Sequence, residues 1–262
     1  MQLRTPVVFV SHGSPMVALE FDDMTQGWAA AAQTWPRPKA IVFISAHWIT
    51  RNVSAVMSAA VPGIEYDFGG FDDRLFQLTY PAPGNPALAQ QIETMLSAAG
   101  FPAKLDAQQK FDHGAWIPLR VLYPQADISV LQVSIPWGLP LEKYIAMAEA
   151  LRPLRDQGVL LIASGNITHN LSDLDFANKQ AAVAPWAKEF DAWVWDCLLR
   201  RDAEALINFQ TIAPHAAHAH PSIDHFIPLF YALGFSHPQD QLTNLYEGFH
   251  YGTLSMRAFV FA

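Results

Sequence analysis

The sequence predicts an α/β fold, a three-layer sandwich whose mostly parallel or mixed central sheet is flanked by helices. Three observations predict it. Residues 7–10, Ala40–Ser45 and residues 159–163 are short, continuous apolar runs rich in β-branched side chains, the pattern of strands buried on both faces. Segments of helical length and periodicity alternate with them. Finally, each run ends at a polar cluster that carries a histidine: His12, His47 and His169.

Taken in order, residues 7–10 form the first strand, and Gly13 and Pro15 punctuate the turn after it. Residues 24–34, rich in Ala, form a short helix stopped by Pro36 and Pro38. The second strand, Ala40–Ser45, runs into Ala46-His47-Trp48. Residues 49–84 mix Gly, Pro and aromatics and read as long ordered loops. Asn85 caps the next helix, Pro86 occupies its first position, and Gly100 ends it. Leu88, Ile92, Met95 and Leu96 share one face of it. The stretch from Phe111 leads into a short helix through Leu122. A strand over 128–135, a helix over Leu141–Leu151 and a strand over 159–163 follow. The remainder predicts helices over 186–199 and 223–233, the latter carrying His225, and a last strand over 253–261.

Composition bounds the function. With 262 residues, 51% of them hydrophobic, the chain can bury one sizeable core, and residues 1–262 read as a single large domain. The net charge of −8 provides no basic footprint for nucleic acid. A single cysteine, Cys197, rules out an intrachain disulfide framework and any sulfur-rich metal site. No apolar run reaches membrane-spanning length and no signal peptide is evident, so a cytoplasmic protein is expected. A homo-oligomer is compatible with all of this.

Ten histidines are present. One alone is most simply a surface or hydrogen-bonded residue. Three that follow separate strands at one sheet edge point to a shared site, because ligands of open α/β sheets bind there. Imidazole suits Zn, Fe, Cu and Ni, and three protein ligands leaving open positions characterise a catalytic metal. Asp224-His225 offers a carboxylate and an imidazole in sequence; helix neighbours point apart, so one reaches a metal and the other supports it. Nucleophile motifs are incomplete. Gly13-Ser14-Pro15 and Ala163-Ser164-Gly165 each lack one glycine of G-x-S-x-G. The aromatic stretch from Tyr66 to Phe76 suits either a packed loop or the wall of an aromatic pocket.

Seven motifs carry a resemblance: Ser11-His12-Gly13-Ser14-Pro15, Ser45-Ala46-His47-Trp48, Tyr66-Asp67-Phe68-Gly69-Gly70-Phe71, Tyr80-Pro81-Ala82-Pro83-Gly84, Phe111-Asp112-His113-Gly114-Ala115-Trp116, Ala163-Ser164-Gly165-Asn166 with His169-Asn170-Leu171, and His220-Pro221 with Asp224-His225-Phe226-Ile227-Pro228-Leu229. In order and nearly end to end, the chain resembles the DODA-type (4,5-DOPA) extradiol ring-opening dioxygenases of the LigB-like, class III extradiol superfamily. The resemblance implies cleavage of a catechol ring by O2 at a non-haem metal. That metal is Fe(2+) for activity, and Zn(2+) also occupies the site in some members. By motif match the ligands would be His12, His47 and His225. His169 would be the catalytic acid/base or a fourth ligand, and His113 a second pocket histidine. Protocatechuate-type relatives use a glutamate as third ligand, which leaves the third place here between His225 and Asp224. The alternative function is a zinc-dependent hydrolase or lyase on the same fold. Expected partners are a small aromatic diol and O2, with no nucleic acid and no membrane.

Overall fold

The computed structural model describes residues 4–262. The first half of the chain runs β1 (Val7–Ser11), α1 (Asp23–Thr34), β2 (Ala40–Ser45), β3 (Ile49–Arg51), β4 (Ser54–Met57), α2 (Pro86–Ala98), β5 (Ala103–Asp106), α3 (His113–Leu122), β6 (Ser129–Gln132) and β7 (Ile135–Trp137). It continues with α4 (Leu141–Leu151), β8 (Val159–Gly165), α5 (Pro185–Arg200), α6 (Ala203–Ile207), α7 (Phe209–Ile212), α8 (Ala216–Ala219) and α9 (Ile227–Phe235). Strands β9 (Leu242–Tyr246), β10 (Phe249–His250), β11 (Leu254–Ser255) and β12 (Ala258–Phe261) close it.

The three apolar runs become adjacent strands. The main sheet has the order β6-β2-β8-β1-β12-β9. Its first four strands are parallel, and β12 and β9 are antiparallel, so the sheet is mixed. Every residue of β1, β2 and β8 is buried, as their unbroken apolar pattern requires. The register pairs Val10 with Ser164 and Ser45 with Ser164. All three strands therefore end level, at one edge.

Consecutive side chains of a strand point to opposite faces, and β8 shows what covers each. Ser164 Oγ donates to Gly114 O at 2.6 Å, in the first turn of α3. A Cβ on Gly165 would lie 2.2 Å from His225 O and 3.0 Å from Pro228, where α9 begins. Helices α3 and α9 thus sandwich the sheet, and Gly165 is glycine because the α9 segment touches its backbone. A capping aspartate starts α3: Asp112 accepts from Ala115 N at 3.2 Å. Asn85 caps α2 as expected, accepting from Leu88 N at 3.0 Å. Among the described residues, no helix is long and apolar enough to cross a membrane.

Several sequence expectations need correction. Residues 49–84 are not loops throughout, because β3 and β4 occupy their start. The expected strand over 128–135 is two strands in different sheets. β6 joins the main sheet and β7 pairs with β3. The expected tail strand is likewise interrupted between Ser255 and Ala258. His225 is not on a helix: α9 begins at Ile227, and His225 sits in the turn before it.

Candidate metal centre

The three strand ends and the turn before α9 bring five imidazoles together. His12 follows β1 directly, and its N–H donates to Gly165 O at 3.0 Å. His47 lies two residues past β2. There Gly114 leaves it room, since a Cβ on that glycine would sit 2.9 Å from His47 Cδ2. The His225 backbone is fixed by Asn166 N–H, which donates to His225 O at 2.9 Å. His12 Nε2 lies 3.0 Å from His47 Nε2, and His225 Nε2 lies 3.2 Å from the same atom. His113, at the start of α3, packs against the His47 ring with centroids 4.0 Å apart. His169 stacks flat on His225, at 3.5 Å and 6°.

Hydrogen bonds set which nitrogen of each ring faces inward. Ser164 Oγ spends its proton on Gly114 O, so it accepts from His12 Nδ1–H, at 2.8 Å. His12 Nε2 is left as a bare lone pair. His225 Nδ1 donates to Asp224 Oδ2 at 2.5 Å, which also frees its Nε2. The same Asp224 cannot point away from its neighbour as it would on a helix, because both sit in a turn. Asp67 holds His113 twice, accepting from its backbone N and from Nδ1, both at 2.9 Å. The Asp67 side chain is only 21% exposed, and its Oδ2 is also 3.8 Å from His47 Nδ1. His169 has no ring hydrogen bond among the described residues, so both its nitrogens are free for a bound molecule.

Burial, and then the neighbouring imidazoles, push His12 and His47 well below the usual histidine range. The same two causes bring His169 down to about 3. Burial, the largest single influence, raises the Asp224 carboxyl, but the bond and charge of His225, with Ser222 and His169, together outweigh it and the net direction is down. Asp67 follows the same balance through His113. Neutral imidazoles backed by ionised carboxylates are what metal binding requires.

The spacing fits a metal. Two nitrogens each about 2.1 Å from one ion lie about 3.0 Å apart at a right angle and about 3.4 Å apart in a tetrahedron. The separations of 3.0 and 3.2 Å fall in that range. Ring nitrogens this close need a proton on His47 Nε2 or a cation between them. Ligand atoms of His12, His47 and His113 lie within 4.8 Å of one another, and so do those of His169, Asp224 and His225. His47 Nε2, 3.2 Å from His225 Nε2, joins the two groups, while His113 lies against the His47 ring.

Beside the imidazoles lies a cavity of about 190 Å³. Phe68, Phe71, Leu174, Phe176 and Tyr251 contribute to its wall, and neither Lys nor Arg does. Of the aromatic loop, Phe68 and Phe71 reach the cavity. Tyr66 instead donates to Leu78 O at 2.7 Å. Arg74 is bound to Asp72 at the surface, and Arg51 is exposed.

The catalytic LigB subunit of aromatic ring-opening dioxygenases matches residues 6–261. The chain belongs to this family. An Escherichia coli K12 protein named 4,5-DOPA dioxygenase extradiol is 39% identical, over 97% of this chain and 93% of its own length. A Portulaca grandiflora protein of the same name is 38% identical, over 97% and 94%. A crystal structure of an uncharacterized Escherichia coli K12 protein superposes with a TM-score of 0.84 at 36% identity, covering 99% of this chain and 100% of that one. This LigB-family chain is an extradiol ring-cleaving dioxygenase, an oxidoreductase that uses O2.

Two supporting residues of this dioxygenase escaped the sequence reading. Asp67 stood inside an aromatic, Gly-rich stretch that drew attention to its rings. Ser164 drew notice only as a failed nucleophile, although its position opposite both Val10 and Ser45 puts it beneath His12. His220 is a third. It donates through Nε2 to Ile167 O at 2.8 Å, two residues before His169, and is boxed in by Phe190, Phe209 and Phe226. Burial lowers it to about 4. The unfolded chain, with a histidine near 6.5, takes up that proton first. His220 therefore costs nothing above pH ~6.5 and removes stability as the pH falls toward about 4. The loss reaches on the order of 3 kcal/mol at most. Urea unfolding of the metal-free protein at pH 7 and pH 5 should show a decline to which His12, His47 and His169 add, and His220→Phe should make it smaller. An equal decline in the variant would remove His220 from the account.

Proposed function

We propose that this chain is an Fe(2+)-dependent dioxygenase that opens the ring of a catechol bearing one side chain, with residues 1–262 acting as one catalytic domain. The observation that carries the reading is the set of three Nε2 atoms, of His12, His47 and His225, converging at 3.0 and 3.2 Å beside an aromatic-walled cavity. The relatives named 4,5-DOPA dioxygenase extradiol support it. Divalent iron supplies the one-electron exchange between diol and O2, which zinc, without an accessible redox change, does not.

The remaining roles follow from the protein groups. Phe68 and Phe71 offer a flat apolar wall to the ring. His113, its Nδ1–H committed to Asp67, presents Nε2 as an acceptor for a substrate hydroxyl. His169 lines the same cavity with both ring nitrogens free of hydrogen bonds among the described residues. It takes a proton from the diol and returns one later. No Lys or Arg on the wall clamps a carboxylate, so a carboxylate on the side chain is not required.

Three outcomes test the reading. In single His12→Ala, His47→Ala and His225→Ala variants, elemental analysis should find most of the metal gone. Near-stoichiometric metal in all three would sink the assignment, and retention in His225→Ala alone would move the third ligand to Asp224 or His113. His169→Ala should keep its metal and bind a catechol, yet lose about 10²–10⁴-fold in turnover; a loss of only a few-fold would exclude the proton-transfer role. Anaerobic reconstitution with Fe(2+), followed by oxygen-uptake assays, should give cleavage of substituted catechols and none of monophenols. The Zn(2+)-loaded protein should be inactive. Silence across the whole catechol panel would refute the proposal.

A further inference from the structure

The cavity beside the imidazoles is small. About 190 Å³ holds a single ring and falls short of the ~300–1,000 Å³ typical of pockets for larger ligands. A substituent of more than a few atoms must therefore leave it. A second, open hollow of about 580 Å³ shares His169 and Leu171 with the first. Its floor is unusual for a surface: Ile49, Trp137 and Leu171 are 39, 44 and 55% exposed. Large apolar side chains gathered in one exposed hollow mark a binding surface.

The hollow is built from rigid parts. β3 and β7 pair in parallel, Ile49 opposite Ile135 and Arg51 opposite Trp137. Ile49 and Trp137 thus lie on the same face, diagonally adjacent. Ile135 N–H donates to Trp48 O at 2.9 Å, one residue from His47, so this platform is tied to the metal centre. Asp224 is the one charged residue on the wall, and it is already engaged with His225. The ionised Asp224 disfavours an anionic tail there, and the exposed floor beyond it is apolar.

We propose that this outer hollow is the subsite for an uncharged, apolar substituent on the catechol ring, with Trp137 and Ile49 as its specificity-determining residues. The proposal rests on the ring-cleavage reading above and names the substrate class it serves: alkyl- or aryl-substituted catechols. The ring occupies the inner cavity, and the tail runs past Leu171 onto Trp137.

The test uses catechol and its 4-methyl, 4-butyl and 4-hexyl derivatives. Calorimetric titration of the zinc-loaded protein reads binding without turnover. Wild type should bind each longer member more tightly, by roughly three- to fourfold per buried methylene. Trp137→Ala and Ile49→Ala should abolish most of this gain for 4-hexylcatechol and leave unsubstituted catechol unchanged. Trp137→Phe, which keeps an aromatic surface, should restore much of it. Equal affinity across the series in wild type, or an equal loss for catechol and 4-hexylcatechol in the variants, overturns the subsite. Oxygen uptake by the iron-loaded protein separates the two readings. Cleavage of catechol with a flat binding series defeats the subsite alone; a rising binding series with no cleavage of any member defeats the ring-cleavage reading and leaves the subsite standing.

Discussion

The structure depends on holding three ring nitrogens against one another. His12 and His225 each bring Nε2 within 3.2 Å of His47 Nε2, in surroundings that bury His12 and most of His47. Free imidazoles would turn away or take on a charge, and the fold opposes both. Ser164 and Asp224 hold the far nitrogens of His12 and His225, and burial opposes the charge on His12 and His47. The cost of that arrangement is met by the rest of the fold, whose buried parallel strands cannot shift without dismantling the core.

Two glycines let the layers come close enough. Gly165 admits the carbonyl of His225, and Gly114 admits the His47 ring and Ser45 Oγ. They act from opposite faces of the sheet. A Cβ at either would push an imidazole-bearing segment outward by direct collision, 2.2 Å from His225 O or 2.6 Å from Ser45 Oγ. Beneath them Asp112 ties the faces together. Its carboxylate caps α3 and accepts from Ser45 Oγ at 2.6 Å and Gln132 Nε2 at 2.7 Å. One buried carboxylate thereby joins β2, β6 and α3 directly under His47 and His113.

What could be read from the sequence was whatever a local pattern encodes. The unbroken apolar runs of β1, β2 and β8 read as buried parallel strands because double-sided burial removes alternation. Asn85-Pro86 read as a helix start because cap chemistry is local. The histidines read as one cluster because each strand delivers its successor residue to the same edge. Short strands with mixed burial did not read. β5 and β9 alternate weakly and owe their existence to partners distant in sequence, Ser54–Met57 and Ala258–Phe261. The turn that carries His225 read as helix because Ile227–Phe235 is apolar all round and hides its own beginning. Asp67 and Ser164 stayed hidden for a related reason: their partners lie 46 and 152 residues away.

Charge balance suits the centre to a cation. Asp67 and Asp224 each grip a site imidazole, and both carboxyls are held down in the ionised form. No Lys or Arg lines either hollow to answer them. Two answers are chemically available: protons on the imidazoles, or a cation among them. Burial works against the first at His12 and His47. The second satisfies both carboxylates at once and removes the repulsion between facing lone pairs. It also leaves His169, which has no ring hydrogen bond among the described residues, unprotonated and stacked on His225 at the wall of the inner cavity.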